Sequence, residues 1–372
     1  MKPLSAYTYI RNNLKKVFPS FISITLGVFL VYLLSLLLYS SVLGINLVGL
    51  NLTERGTLLS SNTPQGFSEE IMNKLEKGIA DKSVLPVIPN VGSFMYSSPF
   101  GDMSGESYTV YPEDLSRLME FLDLTLVEGA LPGENEGEVL VPLRFAKQNN
   151  VEIGDLIGKN LDINADLHKE YRICGLTDGP VMVFLASDTD SMGRDEAAKH
   201  SVLISVRANP ELSQAMGDLE DKSVSVIDRQ SIGEEMGQIQ ATYNSLSFSL
   251  DFLIILVLCI SIGNLNYISF LNRKHEYAVL AAIGYRKSFL YLKLLKENLV
   301  TCLLGFGAGI AFTILVVELL NQAVWLPQGK YVSSFEPRYI IVALVVPAVV
   351  SVASMLSSLR ELRKINHESL KI

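Results

Sequence analysis

The chain has 372 residues, of which 49% are hydrophobic and 19% charged, with a mean hydropathy of +0.30. It is too apolar for an ordinary soluble enzyme and too charged to lie wholly within a membrane, so we expect membrane spans joined to a soluble domain. The net charge of -8 is unevenly spread. Its basic residues lie mainly beside apolar segments and form no basic stripe, which argues against nucleic acid as a partner.

The first apolar run occupies residues 18–43, after a short amphipathic segment at 1–17 that we place in the cytoplasm. No charge interrupts the run, and its length is enough to cross a bilayer. A cleaved signal peptide is the competing interpretation. The run is too long for a usual signal core and lacks a clear small-x-small cleavage site, so we expect a retained first span.

Residues 44–245 are mostly polar and predict an α+β domain outside the cytoplasm. Two strand–helix–strand runs, near 52–88 and 201–228, predict a split, ferredoxin-like βαβ sheet. Between them, short strands bounded by glycines predict a β-rich insertion. In the first run, Ser68 is placed to cap a helix over 67–79. Residues 232–245 carry helical periodicity into the next apolar run and predict a stalk helix.

Three further apolar runs follow, and with the first they predict four spans. We assign the second to 246–270, the third to 299–320 and the fourth to 339–359, with a short outer loop at 321–338. Pro347 should kink or loosen the fourth span. Gly305 and Gly309 form a small-xxx-small step that permits close helix contact, although glycine is also simply common in membrane helices.

Basic residues set the orientation. They cluster before the first span, between the second and third, and in the tail at 360–372, while the 321–338 loop has only Lys330 and Arg338. By the positive-inside rule, both termini and the 271–298 segment are cytoplasmic and 44–245 is outside. Asp251 and Glu318 lie within spans and are candidate intramembrane polar residues, or simply carboxylates hydrated near the interface.

We find no catalytic signature in the sequence. There is no GxSxG or HExxH motif and no complete phosphate loop, so the chain should not hydrolyse ATP alone. Glu134, Glu136 and Glu138 are best interpreted as a solvated turn, with calcium binding as an alternative. Cys174 is the only cysteine in a water-facing region, which excludes an intrachain disulfide there and leaves an intermolecular bridge as an alternative. No His/Cys cluster predicts a metal.

Segment 271–298 predicts a short helix ending at Gly284, followed by a basic helix that leads into the third span. A short cytoplasmic helix with an exposed apolar face needs a partner. The alternative is a helix lying on the inner leaflet, in contact with membrane lipid, for which the basic residues would also serve.

Four passages together resemble the MacB/FtsX-like permeases of the type VII ABC superfamily. They are R-K-H-E-Y-A-V-L-A-A-I-G at 273–284, the G-A-L-P…G-E-V-L-V-P…Y-R-I-C-G-L series at 129–176, the tail K-I-N-H-E-S-L-K at 364–371, and the order of one span, outer domain and three spans. In the tail, Asn366 and His367 stand where the family commonly has proline. No fused ATPase precedes the first span in this sequence.

The resemblance implies a bacterial inner-membrane permease without a cofactor of its own, whose separate ABC ATPase subunit binds ATP and Mg. It also implies a second permease chain, identical or related. The residues that would couple the chain to the ATPase are Arg273, Glu276, Tyr277, Leu280, Ile283 and Gly284. The leading hypothesis is mechanotransmission that exports or extracts an amphipathic compound, peptide or lipid. The alternative is an FtsX-like subunit that regulates an extracellular partner such as a cell-wall hydrolase.

Overall fold

The computed structural model describes residues 13–133, 137–158, 164–187, 192–219, 222–271, 276, 279–280 and 283–368. The chain divides into two compact units. The helical unit comprises Met1–Leu36, Asn244–Leu320 and Ser333–Ile372, and the α+β unit comprises Leu37–Tyr243 and Asn321–Val332.

Ten helices are assigned within the described residues: α1 Leu14–Ile45, α2 Asn51–Arg55, α3 Glu69–Ala80, α4 Pro112–Phe121, α5 Leu143–Asn149, α6 Arg194–His200, α7 Pro210–Gly217, α8 Gly233–Leu271, α9 Lys287–Leu320 and α10 Pro337–Glu368. The strands are β1 Gly56–Ser61, β2 Val84–Pro86, β3 Ile88–Ser98, β4 Gly101–Thr109, β5 Thr125–Gly129, β6 Glu138–Pro142, β7 Leu156–Ile157, β8 Ala165–Leu167, β9 Tyr171–Asp178, β10 Phe184–Ser187, β11 Ser201–Ser205 and β12 Val224–Ile227.

Three helical stretches in the described part of the chain are long and apolar enough to cross a membrane: Val17–Arg55, Met236–Ser261 and Ser288–Gln328. Pro337–Val352 is apolar but shorter. It begins α10, which continues through Pro347 as helix. The protein is therefore a membrane protein by its helices, and the count of four spans stays a prediction.

The first helical stretch is longer than the predicted span. After α1 the chain passes through a π-helical turn at Asn46–Leu50 and then α2, so helix extends to Arg55 instead of ending near residue 43. Leu47, Val48 and Leu52 in this extension are buried in the cores of the α+β unit. Burial of these apolar side chains explains why helix continues into a segment we had assigned to the soluble domain.

The smaller sheet of the α+β unit has four antiparallel strands in the order β12–β1–β11–β2. Helix α3 connects β1 to β2, and α7 connects β11 to β12, so this is the split βαβ arrangement predicted from the sequence. Ser68 accepts a hydrogen bond from the Ile71 backbone N–H at 3.5 Å, in agreement with its predicted capping role. Helix α3 then packs Ile71 and Leu75 onto Leu59 and Val84 of the sheet.

The larger sheet has eight strands, in the order β5–β9–β6–β10–β4–β3–β8, with β7 pairing β9 beside β5. Three phenylalanines fill its core: the Phe94 and Phe184 rings stack 4.4 Å apart, and Phe145 meets both at its edge. This sheet is the β-rich insertion predicted for 129–176, but it reaches further. The long β3–β4 hairpin, which precedes that stretch in the chain, also belongs to it.

Candidate functional site

The short segment before α9 ends in a tight backbone turn at Gly284. The Ile283 N–H donates to the Val279 carbonyl at 3.0 Å, and the Tyr285 N–H reaches back to the Leu280 carbonyl at 3.2 Å. Gly284 has φ of +95°, the left-handed conformation that closes a helix at its C′ position. Its predicted role as a helix terminator is therefore confirmed.

Beyond the turn, apolar and basic groups surround a surface hollow of about 520 Å³, lined by Gly284, Tyr285, Arg286, Ser288, Phe289 and Leu292. The Tyr285 and Phe289 rings stack with centroids 5.2 Å apart. Ile283, immediately before the turn, is 71% exposed. We name residues 279–280 and 283–292 the coupling turn, after the role predicted for this segment from the sequence. An exposed apolar surface beside a cation is typical of a protein-docking site.

Only some of the predicted coupling residues lie in this surface. Ile283 and Gly284 belong to it directly, Glu276 is exposed and Leu280 is half-buried. Arg273 and Tyr277 lie outside the described residues. The aromatic pair of Tyr285 and Phe289 was missed in the sequence. The i, i+4 spacing of the two aromatic residues around the beginning of α9 could have predicted their contact.

Within the helical unit, α9 packs closely on α1 through glycine. A Cβ atom placed on Gly309 would lie 2.7 Å from the Val28 Cβ, and one placed on Gly305 would lie 2.8 Å from the Ile24 Cγ2. Phe29 and Phe312 pack next to these contacts, with ring centroids 4.9 Å apart. The predicted small-xxx-small step is therefore a real helix contact, and not only a reflection of membrane composition.

The two candidate intramembrane carboxylates differ in their surroundings. Asp251 is buried in α8, and its Oδ1 has no hydrogen-bond partner among the described residues. Glu318 is exposed on α9. Nothing in the described structure brings the two together. Asp251 therefore keeps the character of a functional candidate, whereas Glu318 fits the hydrated alternative.

In the α+β unit, the β3–β4 hairpin contacts both long helices. Tyr96 donates its hydroxyl to the Ser40 carbonyl of α1 at 3.0 Å, and Ser98 shares a 2.8 Å hydrogen bond with Ser41. On the other side, the Tyr243 hydroxyl of α8 donates to the Phe100 carbonyl at 3.3 Å. We name this meeting of residues 40–44, 96–101 and 243 the hairpin joint.

Close packing and a loop reinforce the hairpin joint. A Cβ atom on Gly44 would lie 2.6 Å from the Tyr96 ring, so only glycine fits without a shift there. The 321–332 loop also reaches this region: Ser40 donates to the Tyr331 carbonyl at 3.2 Å, and Lys330 forms a parallel bridge with Ser97. One hairpin thus contacts α1, α8 and the loop that follows α9.

Removing the Tyr96 hydroxyl should weaken the hairpin joint. Tyr96→Phe deletes a buried donor and leaves the Ser40 carbonyl without it, so we expect a loss of about 1 kcal/mol in unfolding free energy. The control is Tyr108→Phe, because the buried Tyr108 hydroxyl has no hydrogen-bond partner in the described structure. That change should be neutral or stabilising. Thermal unfolding followed by fluorescence of Trp325, the only tryptophan, measures both, and equal losses would contradict the prediction.

Cys174 lies half-buried in β9, where burial raises its pKa to about 12 and its Sγ donates to the Val139 carbonyl at 3.4 Å. We expect alkylation by N-ethylmaleimide at pH 8 to be about a thousandfold slower than in the unfolded chain, because the reactive thiolate is scarce. The Cys259→Ala/Cys302→Ala variant isolates this thiol. Equal rates with and without sodium dodecyl sulfate would contradict the expectation.

The described residues contain no group of three His, Cys, Asp or Glu side chains able to hold a metal. In a comparison with known families, residues 248–367 match the model of the FtsX-like permease C-terminal family. Over these residues the match bears out the resemblance to FtsX-like permeases that was deduced from the sequence.

Two further comparisons accompany this assignment. The extracellular domain of the noncanonic ABC-type transporter YknZ from Gram-positive bacteria is 12% identical, with a TM-score of 0.26. The match covers 46% of this chain and all of that one. No curated protein matches the sequence significantly. The FtsX-like region begins inside α8, so it contains the coupling turn and the Gly305–Gly309 contact.

Proposed function

We propose that this FtsX-like permease works by mechanotransmission, in which a separate ATPase subunit drives movement through the helices instead of opening a route through the membrane. The observation that carries the proposal is α8, which runs unbroken from Gly233 to Leu271. It bears the hairpin-joint residue Tyr243 near one end and leads at the other into the segment that precedes the coupling turn. A continuous helix of 39 residues transmits displacement without a flexible link.

The proposed partner is an ABC ATPase that docks on the coupling turn. The exposed Ile283, the Tyr285–Phe289 stack and the adjacent Arg286 offer an apolar surface with one cation, which suits a groove on a partner protein. Two permease chains, two ATPase subunits and four spans per chain, with both termini and the coupling turn in the cytoplasm, complete the proposed arrangement. ATP and Mg would be bound by the ATPase alone.

The proposed activity is export or extraction of an amphipathic compound, peptide or lipid. The α+β unit is the part of the chain that would do this work, because the hairpin joint ties its larger sheet to α1 and α8. Reconstituted with its ATPase, the complex should then hydrolyse ATP faster when an amphipathic substrate is present. Activity that responds to a protein partner and not to such a compound would support the regulatory alternative instead.

Coupling is tested by changing the docking surface. Ile283→Asp places a charge in the apolar contact, and Glu276→Lys reverses an exposed charge beside it; we expect each to lower co-purification of the ATPase at least tenfold. Ile283→Leu is the matched control and should retain the partner. Membrane insertion must be unchanged in all three. Full ATPase binding and normal coupling in both charged variants would overturn the docking role.

A further inference from the structure

One edge of the larger sheet combines unpaired strand, exposed apolar side chains and acidic charge. Strand β5 pairs with β9 from Thr125 opposite Asp178 to Gly129 opposite Gly175. Strand β7 pairs with the other end of β9, with Leu156 opposite Arg172. Since β6 occupies the opposite side of β9, β5 and β7 lie end to end along one edge. We name residues 125–131 and 152–157 the β5–β7 rim.

The rim exposes large apolar side chains. All five residues of β5 are exposed, a pattern that differs from the buried strands beside it. The exposed fractions of the apolar side chains are 36% for Leu126, 53% for Val127, 41% for Leu131, 37% for Ile153 and 48% for Leu156. A row of such side chains on a sheet edge is a surface that soluble domains normally cover or replace with charge.

The two halves of the rim touch each other. The Ile153 Cδ1 lies 2.9 Å from the position a Cβ on Gly129 would take. The Ala130 N–H donates to the Cys174 carbonyl at 3.0 Å, and the Gly154 N–H donates to the Ile173 carbonyl at 2.8 Å. These bonds carry the edge across the gap between β5 and β7. The rim is therefore one continuous surface along the length of β9.

Exposed carboxylates stand among the apolar side chains. Glu128, Glu152, Asp155 and Asp178 all lie on or next to the rim and are exposed. Among the described residues of the rim and β9, Arg172 is the only basic side chain. Across residues 44–245 acidic residues also clearly outnumber basic ones, so the surrounding field has the same sign.

The edge itself is left open by the sheet. Strand β5 ends the strand order, so its outer side has no strand partner in the described structure. A bulge between Leu126 and Glu128 interrupts its register with β9 at Val127. A bulge, or a lysine on the edge strand, often hinders pairing with another chain. Here the bulged residue is Val127, which is exposed and apolar. The remaining edge is suited to pairing with an added strand.

We propose that the β5–β7 rim binds, by strand addition, an extended polypeptide segment in which basic and apolar side chains alternate. Backbone pairing supplies affinity, the apolar side chains cover the exposed row, and the basic ones meet the carboxylates. A second copy of this chain fits less well, because pairing rim to rim would set acid against acid. The proposal concerns a surface outside the helical unit and does not rest on ATPase docking.

The length of β9 sets the length of the probe. Its eight residues span about 26 Å in extended form, which an eight-residue strand would match. The probe is a fluorescent, end-blocked octapeptide of alternating lysine and valine. Two control peptides replace lysine by glutamate, or place a proline at the centre, which removes a backbone donor and disfavours strand pairing. Binding to the full chain in zwitterionic lipid nanodiscs is measured by fluorescence anisotropy against empty nanodiscs.

The variant Val127→Lys/Glu128→Lys cancels the net negative charge of the rim and places two lysines at its centre. Both positions are exposed, so the Trp325-monitored melting temperature should be unchanged. We expect the parent chain to bind the Lys–Val peptide saturably. The affinity should be at least tenfold lower for the Val127→Lys/Glu128→Lys variant, for either control peptide on the parent chain, and for the Lys–Val peptide at high salt. The variant Glu69→Lys changes an exposed position on α3, which packs on the smaller sheet, and should bind the peptide as the parent chain does.

Three results would overturn the proposal. The first is no saturable binding of the Lys–Val peptide. The second is equal binding of the proline or glutamate peptide, which would exclude strand pairing or charge complementarity. The third is a permease dimer that the Val127→Lys/Glu128→Lys change dissociates, which would assign the rim to a second copy of the chain.

Discussion

Gly309→Ala is expected to destabilise the helical unit by about 1–3 kcal/mol, the range for overpacking a tight contact. A Cβ atom at Gly309 would lie 2.7 Å from the Val28 Cβ and 2.9 Å from the Thr25 carbonyl oxygen. The second neighbour is backbone and cannot rotate away. In lipid, close packing is a main source of attraction between helices, so separating α1 from α9 loses much of their contact.

Gly307 provides a matched control two residues away on the same helix. A Cβ atom there meets nothing within 4 Å, and alanine has the higher helix propensity, so Gly307→Ala should be neutral or slightly stabilising. The measurement is the thermal midpoint of the purified chain in detergent, read as the fraction that stays monodisperse after heating. A double Gly305→Ala/Gly309→Ala variant should lose more than either change alone. Equal midpoints for the Gly307 and Gly309 variants would disprove the close contact.

Arg194→Ala is expected to reduce the unfolding free energy of the α+β unit by about 3 kcal/mol, because it leaves a buried carboxylate without its main partner. The Asp114 side chain is fully buried. It receives two hydrogen bonds from Arg194, from Nε at 2.6 Å and Nη2 at 3.2 Å, while the Lys82 Nζ lies 3.5 Å away. The value is at the lower end for such pairs because Arg194 is partly exposed and Lys82 remains.

The control is Asp195→Asn, which alters the other end of the same arginine. Asp195 is 99% exposed and lies 3.8 Å from the Arg194 Nη1, so its loss should change stability by less than about 0.5 kcal/mol. Adding Asp114→Asn to Arg194→Ala should recover part of the loss, since the buried charge is then gone. Trp325 fluorescence follows the unfolding. A double variant as unstable as the sum of its single changes would contradict coupling between the two side chains.

Local signals predicted the elements whose stability is local. Ser68 at the start of α3 and Gly284 in the coupling turn follow from capping chemistry within a few residues. The Gly305–Gly309 step followed from spacing on one helix. The split βαβ sheet followed from two strand–helix–strand runs, because each run carries its own periodicity.

Features formed by distant residues were not visible in the sequence. Asp114 and Arg194 are 80 positions apart, and no residue near either of them in the sequence indicates that they form a buried ion pair. The β3–β4 hairpin is rich in glycine and serine, which weaken a strand pattern, and its burial depends on Ser40 and Tyr243 in far segments of the chain. Helix beyond residue 43 was missed because it is stabilised by the cores of the α+β unit, not by membrane length.

The length of α8 has a geometric consequence for the proposed mechanism. Its 39 residues make a rod of about 58 Å, so a tilt of one degree about one end displaces the other by about 1 Å. A rotation of about five degrees would then move the far end by roughly one helical turn. Angles this small are less than the scatter of about 15–20° found among packed helix crossings. In the proposed mechanism, a small tilt of α8 would therefore suffice for a displacement of about one helical turn at its other end.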